Sequence, residues 1–307
     1  MRLSLVTILV TLMPLATATP APAAATCEEM LVPMPDGTRL HGWARHGANV
    51  GATRPIVWTM TPYTNTGCAN NAPFGAFTPE MVERVTMVRL SYRGTGASEG
   101  EQDAWGPGDR RDIQDLGDWL ATREYADGLF PTGASAEGAW ITFALDHPAV
   151  KAALWVTSCA DGYRGCIRSG GALAGGAFIL TAGEVQGYAQ GLESRIENGT
   201  TSPLPPQQIA ATVVNGAPAF VEDENGAFWM SRLGLHYLDG VDVPVMFTTD
   251  LYDYVPHGMY IAYERTPAPY AWLSTAIGHN SPAGVGSDAT ALGTLAKEPV
   301  RRFVAKY

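Results

Sequence analysis

The chain is poor in cysteine and in charge, and after its first residues it has no long apolar run. Its four cysteines, Cys27, Cys68, Cys159 and Cys166, match no zinc-ligand spacing, and no paired histidines accompany them. A structural metal is therefore not expected, and no motif asks for a cofactor. Charged residues make up only 16% of the 307, and 20 Lys+Arg against 30 Asp+Glu leave a net charge of −10. The basic residues are scattered, so nucleic acid is not an expected partner. Beyond residue 25 no apolar stretch reaches the roughly 18 residues that a membrane-spanning helix needs. There is no internal repeat, which argues against a solenoid. What is present is an ordinary globular balance, 46% apolar with 34 glycines and 22 prolines. It predicts a sizeable core joined by many tight turns.

Residues 1–25 read as a signal peptide. Arg2 supplies the positive start, Leu5 to Leu15 the apolar stretch, and Ala23, Ala24 and Ala25 a small-residue cleavage site. Pro14, Pro20 and Pro22 oppose a buried helix there. The expectation is a secreted protein, extracellular or periplasmic, with no membrane association after cleavage. An even cysteine count in an exported chain suggests two disulfides, and four cysteines allow three pairings. Cys159–Cys166 closes a short glycine-containing loop. Cys27–Cys68 would then staple the mature N-terminus to the loop after Tyr63.

Along residues 26–307 strand and helix patterns alternate. DGTRLHGWAR, PIVWTMTPY, VTMVRLSY, GLFPTGA, AALWVTS, VDVPVMFTT and PYAWLSTAI read as strands. Several are continuous apolar runs, the pattern of strands buried on both faces. RDIQDLGDWLATREY has helical spacing, with Ile113, Leu116 and Leu120 on one face. AWITFALDHP reads as helix up to Pro148, and ALGTLAKEPVRRFVAKY as a closing helix despite Pro299. The class is α/β: a mostly parallel sheet flanked by helices. Residues 160–240, rich in Gly, Ala, Pro and Asn with helical fragments, break the rhythm. They read as a helical cap inserted between two strands, where loops shape binding sites.

Two serines compete as nucleophile. G-x-S-x-G occurs literally at Gly96–Gly100, around Ser98, but a loop comes after it. A nucleophile elbow needs a strand, a sharp turn, then an apolar helix. Ser135, in Gly133-Ala134-Ser135-Ala136-Glu137-Gly138, follows a short strand and precedes AWITFAL. Small neighbours suit a strained turn, and the helix start would aim N–H groups at an oxyanion. The spacing departs by one residue from the literal motif. A serine hydroxyl needs a base, and the base an orienting acid, in the order Ser, acid, His. Of the later histidines, His147 is too near in sequence, His236 falls in the cap and His257 follows the acid directly. His279, in the loop after the last strand, fits the base. Asp250 and Asp253 both follow the strand VDVPVMFTT, and strand-end geometry does not choose between them.

Taken in order, MPDGTRLHGWAR, TPY, SYRGTGASEG, DIQDLGDWLA, GASAEG, LYDYVP and GHN resemble the CocE/NonD-type α/β-hydrolases. That group includes cocaine esterase and the Xaa-Pro dipeptidyl-peptidases of the S15 kind. The resemblance is good over residues 34 to about 155 and fair over 240–307. It implies the α/β-hydrolase fold and makes the Ser98 motif a structural loop. It aligns Asp253 with the catalytic acid, and Asp250 with a family glycine. It implies an oxyanion hole formed by the Tyr63 hydroxyl and the Ala136 N–H. Ala136 stands where the family usually has tyrosine, which changes pocket shape but leaves the N–H. The chain ends soon after His279, so the family's C-terminal jelly-roll domain is not expected.

The expected function is that of a secreted serine hydrolase cleaving an ester or amide bond of a small acyl substrate through Ser135, Asp253 and His279. One alternative is an Xaa-Pro dipeptidyl-peptidase, for which Glu137 is the one acid that offers itself to a substrate ammonium. The other is a non-catalytic binding protein on the same scaffold. The expected partner is a small-molecule or peptide acyl substrate.

Overall fold

A computed structural model describes residues 24–49, 51–63, 67–68, 77, 79–100, 103, 105–168, 226–232, 234–250, 256–266, 270–275 and 291–307. Residues 1–23 of the expected leader, residues 169–225 and 233 of the expected cap, Asp253 and His279 lie outside the described residues. Among the described residues, no helix is long and apolar enough to cross a membrane.

Eight strands form one sheet: β1 (Thr26–Pro33), β2 (Arg39–His46), β3 (Arg54–Thr61), β4 (Thr86–Ser91), β5 (Ala126–Ser135), β6 (Ala153–Ser158), β7 (Val245–Asp250) and β8 (Tyr270–Thr275). Their order is β1-β2-β4-β3-β5-β6-β7-β8. β2 pairs antiparallel with β1 and with β4, and every other pairing is parallel. The apolar runs of β3, β4 and β6 are buried along almost their whole length, as strands covered on both faces must be. β6 and β7 are hydrogen-bonded neighbours although the whole chain from Cys159 to Pro244 separates them. β1 is an edge strand that buries only Met30 and Val32. A disulfide between Cys27 and Cys68 ties it down. Cys159 is also disulfide-bonded; the side chain of Cys166, its expected partner, lies outside the described residues.

The described α-helices are α1 (Pro79–Val82), α2 (Pro107–Ala121), α3 (Ile141–Ala144), α4 (Ala227–Met230), α5 (Pro256–Arg265) and α6 (Ala291–Lys306), accompanied by a π-helical turn at Gly162–Ile167 and a 3-10 turn at Leu235–Leu238. α2 starts with Pro at its first position, where the absent N–H costs nothing. It buries Ile113, Leu116 and Leu120 against the sheet, the face its spacing announces. α6 runs through Pro299 without a break. On the α2 side the core is aromatic: Trp58, Trp140, Trp155, Phe143 and Phe247 are wholly buried. On the other side a smaller cluster of Ala134, Leu154, Val156 and Met246 meets Phe77, Phe303 and Val304.

Several elements, β1 and α5 among them, have no counterpart in the sequence reading, and one expected helix is shorter than its pattern. The helix expected over AWITFALDHP is α-helical only at Ile141–Ala144. Residues 136–140 form tight turns in which Ile141 N–H reaches the carbonyl three residues back, at Gly138. An α-helix would send that N–H to Glu137, but the Trp140 indole N–H occupies the Glu137 carbonyl at 2.5 Å. Trp140 also packs on Trp58 with ring centroids 4.6 Å apart. The side chain thus shapes the backbone after β5 and fixes it to the sheet. Trp140→Ala should lower unfolding stability by about 3–5 kcal/mol, the usual cost of emptying a buried aromatic site. Urea denaturation monitored by tryptophan fluorescence measures it.

Candidate active site

β5 lies in the middle of the parallel part of the sheet, and Ser135 is its last residue. Ser135 has φ 54°, a left-handed backbone that costs a residue with a side chain about 1–3 kcal/mol. Close contacts hold it there. The Ser135 carbonyl accepts from the Ser158 hydroxyl at 2.6 Å and from Gly138 N–H at 3.0 Å, and Glu137 N–H donates to the Ala134 carbonyl at 2.9 Å. The chain doubles back so tightly that a Cβ at Gly133 would lie 1.8 Å from the Glu137 carbonyl oxygen. A Cβ at Gly138 would lie 2.8 Å from the Gly133 carbonyl oxygen and 2.9 Å from Ser158 Oγ. The one-residue departure from G-x-S-x-G is thus accommodated, with glycines wherever backbone approaches backbone. The neighbouring strand is strained at the same level. The β5–β6 register shifts between Ala134 and Ser135, and fully buried Thr157 takes up the extra residue at φ 35°. A β-branched residue there is a true outlier, and such strain gathers at functional sites.

Tyr63 lies two residues beyond the end of β3, the strand hydrogen-bonded to β5. It is half-buried, and its N–H donates to Thr61 Oγ1 at 3.0 Å. Ala136 follows Ser135, and its carbonyl is 3.5 Å from the Tyr92 hydroxyl. Tyr63 and Ala136 therefore stand at the same sheet edge as Ser135. β7 and β8 reach that edge at Asp250 and Thr275; Asp253 and His279 come after them, outside the described residues.

Ser98 is a structural residue. It is wholly buried, donates to the Ser91 carbonyl at 2.9 Å and accepts from His41 N–H at 2.8 Å. Arg93 in the same loop forks onto Asp112 at 2.8 and 2.6 Å and reaches Asp36 at 2.7 Å. His147 is also engaged: it is buried, with Nε2 3.2 Å from Asp118 Oδ1 and Nδ1 accepting from Ala149 N–H. Among the described residues, no group of three or more His, Cys, Asp or Glu side chains is arranged to hold a metal ion.

Glu137 is not an acid open to a substrate ammonium. It is 6% exposed and ion-paired to Arg89 of β4, whose guanidinium also donates to Thr61 Oγ1 at 3.2 Å. Neither Arg89 nor Ser158 emerges from the sequence reading, although an arginine inside the apolar run TMVRLS is the signal that could have found the first. Burial is the main cause holding the Tyr92 phenol well above its ordinary pKa, and Asp109, Glu137 and Tyr63 add to it. Tyr92 is therefore a neutral hydroxyl beside the turn. Burial likewise lifts the Asp109 carboxyl to about 7, although it accepts from Trp105 N–H at 2.8 Å.

This pKa sets a pH dependence. Between the unfolded value of 3.8 and the folded value near 7, the native state binds the extra proton, so stability falls as pH rises through that window. The contribution is complete below the unfolded pKa and lost above the folded one. Asp109→Asn should flatten the stability curve between about pH 4 and 7, as urea midpoints at fixed ionic strength would report.

A central parallel strand that ends in a strained serine turn, crossed by tightly packed glycines and flanked by helices on both faces, defines the α/β-hydrolase fold. The profile of the X-Pro dipeptidyl-peptidase (S15) family matches residues 36–280, and the chain belongs to that family. Solved structures of similar fold include an α-amino acid ester hydrolase, 21% identical with a TM-score of 0.64 over 95% of this chain and 55% of its own. A CocE/NonD family hydrolase from Staphylococcus aureus is 17% identical, with a TM-score of 0.63 over 89% of this chain and 53% of its own. An aminopeptidase from a marine-sediment Thaumarchaeota archaeon is 19% identical, with a TM-score of 0.62 over 92% and 53%. The chain spans about half the length of these three proteins. No curated protein matches it in sequence.

Proposed function

We propose that the chain is a serine hydrolase that cleaves an ester or amide bond of a small acyl substrate. The observation that carries this reading is Ser135, held at φ 54° on the last residue of the central strand. That conformation projects a side chain off a strand end and costs stability, so it needs a use. In the proposed mechanism His279 takes the Ser135 proton as Oγ attacks the acyl carbonyl. Asp253 orients the imidazole and stabilises its charged form. The Ala136 N–H and the Tyr63 hydroxyl receive the oxyanion. His279 then protonates the leaving group, and later activates the water that releases the acid and restores Ser135. Residues 160–240 form the cap over this edge in the same reading, between the paired strands β6 and β7.

Between ester or amide cleavage and Xaa-Pro dipeptidyl-peptidase activity, the first is favoured. The peptidase needs an anionic group for a substrate ammonium, and Glu137 is committed to Arg89. The similar structures carry the names of an ester hydrolase and of an aminopeptidase, so both substrate classes belong in a test. Export is part of the proposal: the leader pattern of residues 1–25 supports it, and so does the Cys27–Cys68 disulfide, a bond that persists in oxidising compartments.

A fluorophosphonate probe combined with mass spectrometry tests the nucleophile. A single adduct on Ser135, absent in Ser135→Ala, is expected; no adduct on folded protein would favour the binding-protein alternative, and one on Ser98 would overturn the choice of turn. On p-nitrophenyl esters, His279→Ala should cost about 10³- to 10⁶-fold in kcat/KM. Tyr63→Phe should cost about 10²- to 10³-fold in kcat, the usual loss for one oxyanion donor. Faster turnover of an Ala-Pro amide than of any ester would reverse the preference between substrates.

A further inference from the structure

We infer that the buried Arg89–Glu137 pair is a positioning device that sets the distance between the two oxyanion donors, Tyr63 and Ala136. The inference rests on the reading of those donors just proposed. The two stand on separate pieces of chain, the loop after β3 and the turn after β5, and nothing in the sequence joins them. The structure joins them through three side chains, those of Glu137, Arg89 and Thr61. Glu137, one residue after Ala136, binds the Arg89 guanidinium. The same Arg89 Nη2 donates to Thr61 Oγ1 at 3.2 Å. Thr61 Oγ1 in turn accepts the Tyr63 N–H at 3.0 Å. The route Ala136–Glu137–Arg89–Thr61–Tyr63 therefore runs through covalent bonds and hydrogen bonds from the first donor to the backbone that carries the second, the Tyr63 side chain.

Burial makes this route stiff. Thr61 is wholly buried, and the side chains of Arg89 and Glu137 are 14% and 8% exposed. A surface pair would be screened and mobile. A buried one cannot part without leaving an unpaired charge out of water. Stability alone does not explain it either, since two apolar side chains of similar size would serve the core as well or better. What the pair adds is direction: the planar guanidinium presents the two N–H groups of Nη2 at a fixed angle, one to Glu137 and one to Thr61. A polar stretch at the ends of β3 and β4 provides its seat. Thr59 lies opposite Arg89 and Thr61 opposite Ser91 in the parallel β3–β4 ladder, so all four side chains share one face.

Three variants test it on the full chain: Glu137→Gln, Arg89→Met, and the double variant Arg89→Met/Glu137→Met. In Glu137→Gln, kcat on a p-nitrophenyl ester should fall about 10- to 100-fold with KM within about twofold, because a displacement near 1 Å costs that much. The double variant removes both charges. Its melting temperature should recover relative to Arg89→Met, while its kcat stays down. Recovery of kcat together with melting temperature would reduce the pair to a packing element and overturn the inference. A second readout needs no turnover. In ¹⁵N-labelled protein, Glu137→Gln should shift the amide resonances of both Ala136 and Tyr63; a Tyr63 amide that does not move overturns the coupling. Wild-type protein without esterase activity would sink the hydrolase reading, and the coupling would still stand or fall on the amides.

Discussion

The hydrogen bond from the Ser158 hydroxyl to the Ser135 carbonyl is the contact on which the site depends. A serine at positive φ is an unfavourable ending for a strand, and its backbone would relax without outside support. Ser158 supplies that support from the next strand, and the β5–β6 register must slip at this point to bring it there. The slip strains Thr157 in its turn. Two unfavourable conformations side by side persist because a rigid sheet surrounds them. The aromatic core serves this end: Trp140 locks the chain leaving the turn onto Trp58, so a shift of residues 136–140 cannot relieve the strain at Ser135.

The two faces of the sheet carry different loads. Strand alternation sends Trp58, Met60, Val88 and Leu90 to the side of α2 and α3, where they join the main core. It sends Thr59, Thr61, Arg89 and Ser91 to the other side. Along that polar face Thr59 donates to the Thr132 carbonyl of β5, and Arg89 links Thr61 to Glu137. Hydrophobic burial is non-directional and tolerates small shifts. Hydrogen bonds with a fixed fork do not. The face toward α2 therefore supplies most of the apolar burial, and the polar stretch at the ends of β3 and β4 on the other face holds strand ends in register beside Ser135.

Much of this was legible in the sequence, for physical reasons that differ by element. Long apolar runs marked β3, β4, β6 and β7, because a strand covered on both faces has no room for polar alternation. The amphipathic spacing of α2 survives because its outer face is wet. The turn at Ser135 was legible from its small neighbours, and the loop role of Ser98 from the polar, glycine-rich residues after it. The extent of the helix after Ser135 was not legible, since it depends on an indole N–H taking one carbonyl. Glu137 read as an acid open to a substrate because its partner lies 48 residues away on another strand. Ser158 and Thr157 gave no signal, since a register shift is a property of two strands together.

The position of Glu137 bears on substrate choice as well as on geometry. An acid beside a nucleophile is available to a cationic substrate only if it keeps hydration or an open face. Here the side chain is enclosed, and an arginine already neutralises its charge. Drawing Glu137 toward a substrate ammonium would strand Arg89 in the interior, at a cost that one surface-exposed ion pair does not repay. The same pairing that makes Glu137 useful for holding Ala136 thus removes it from recognition. In the proposed reading, the group that selects the leaving part or the amino end of a substrate is not Glu137, and the turn around Ser135 serves chemistry alone.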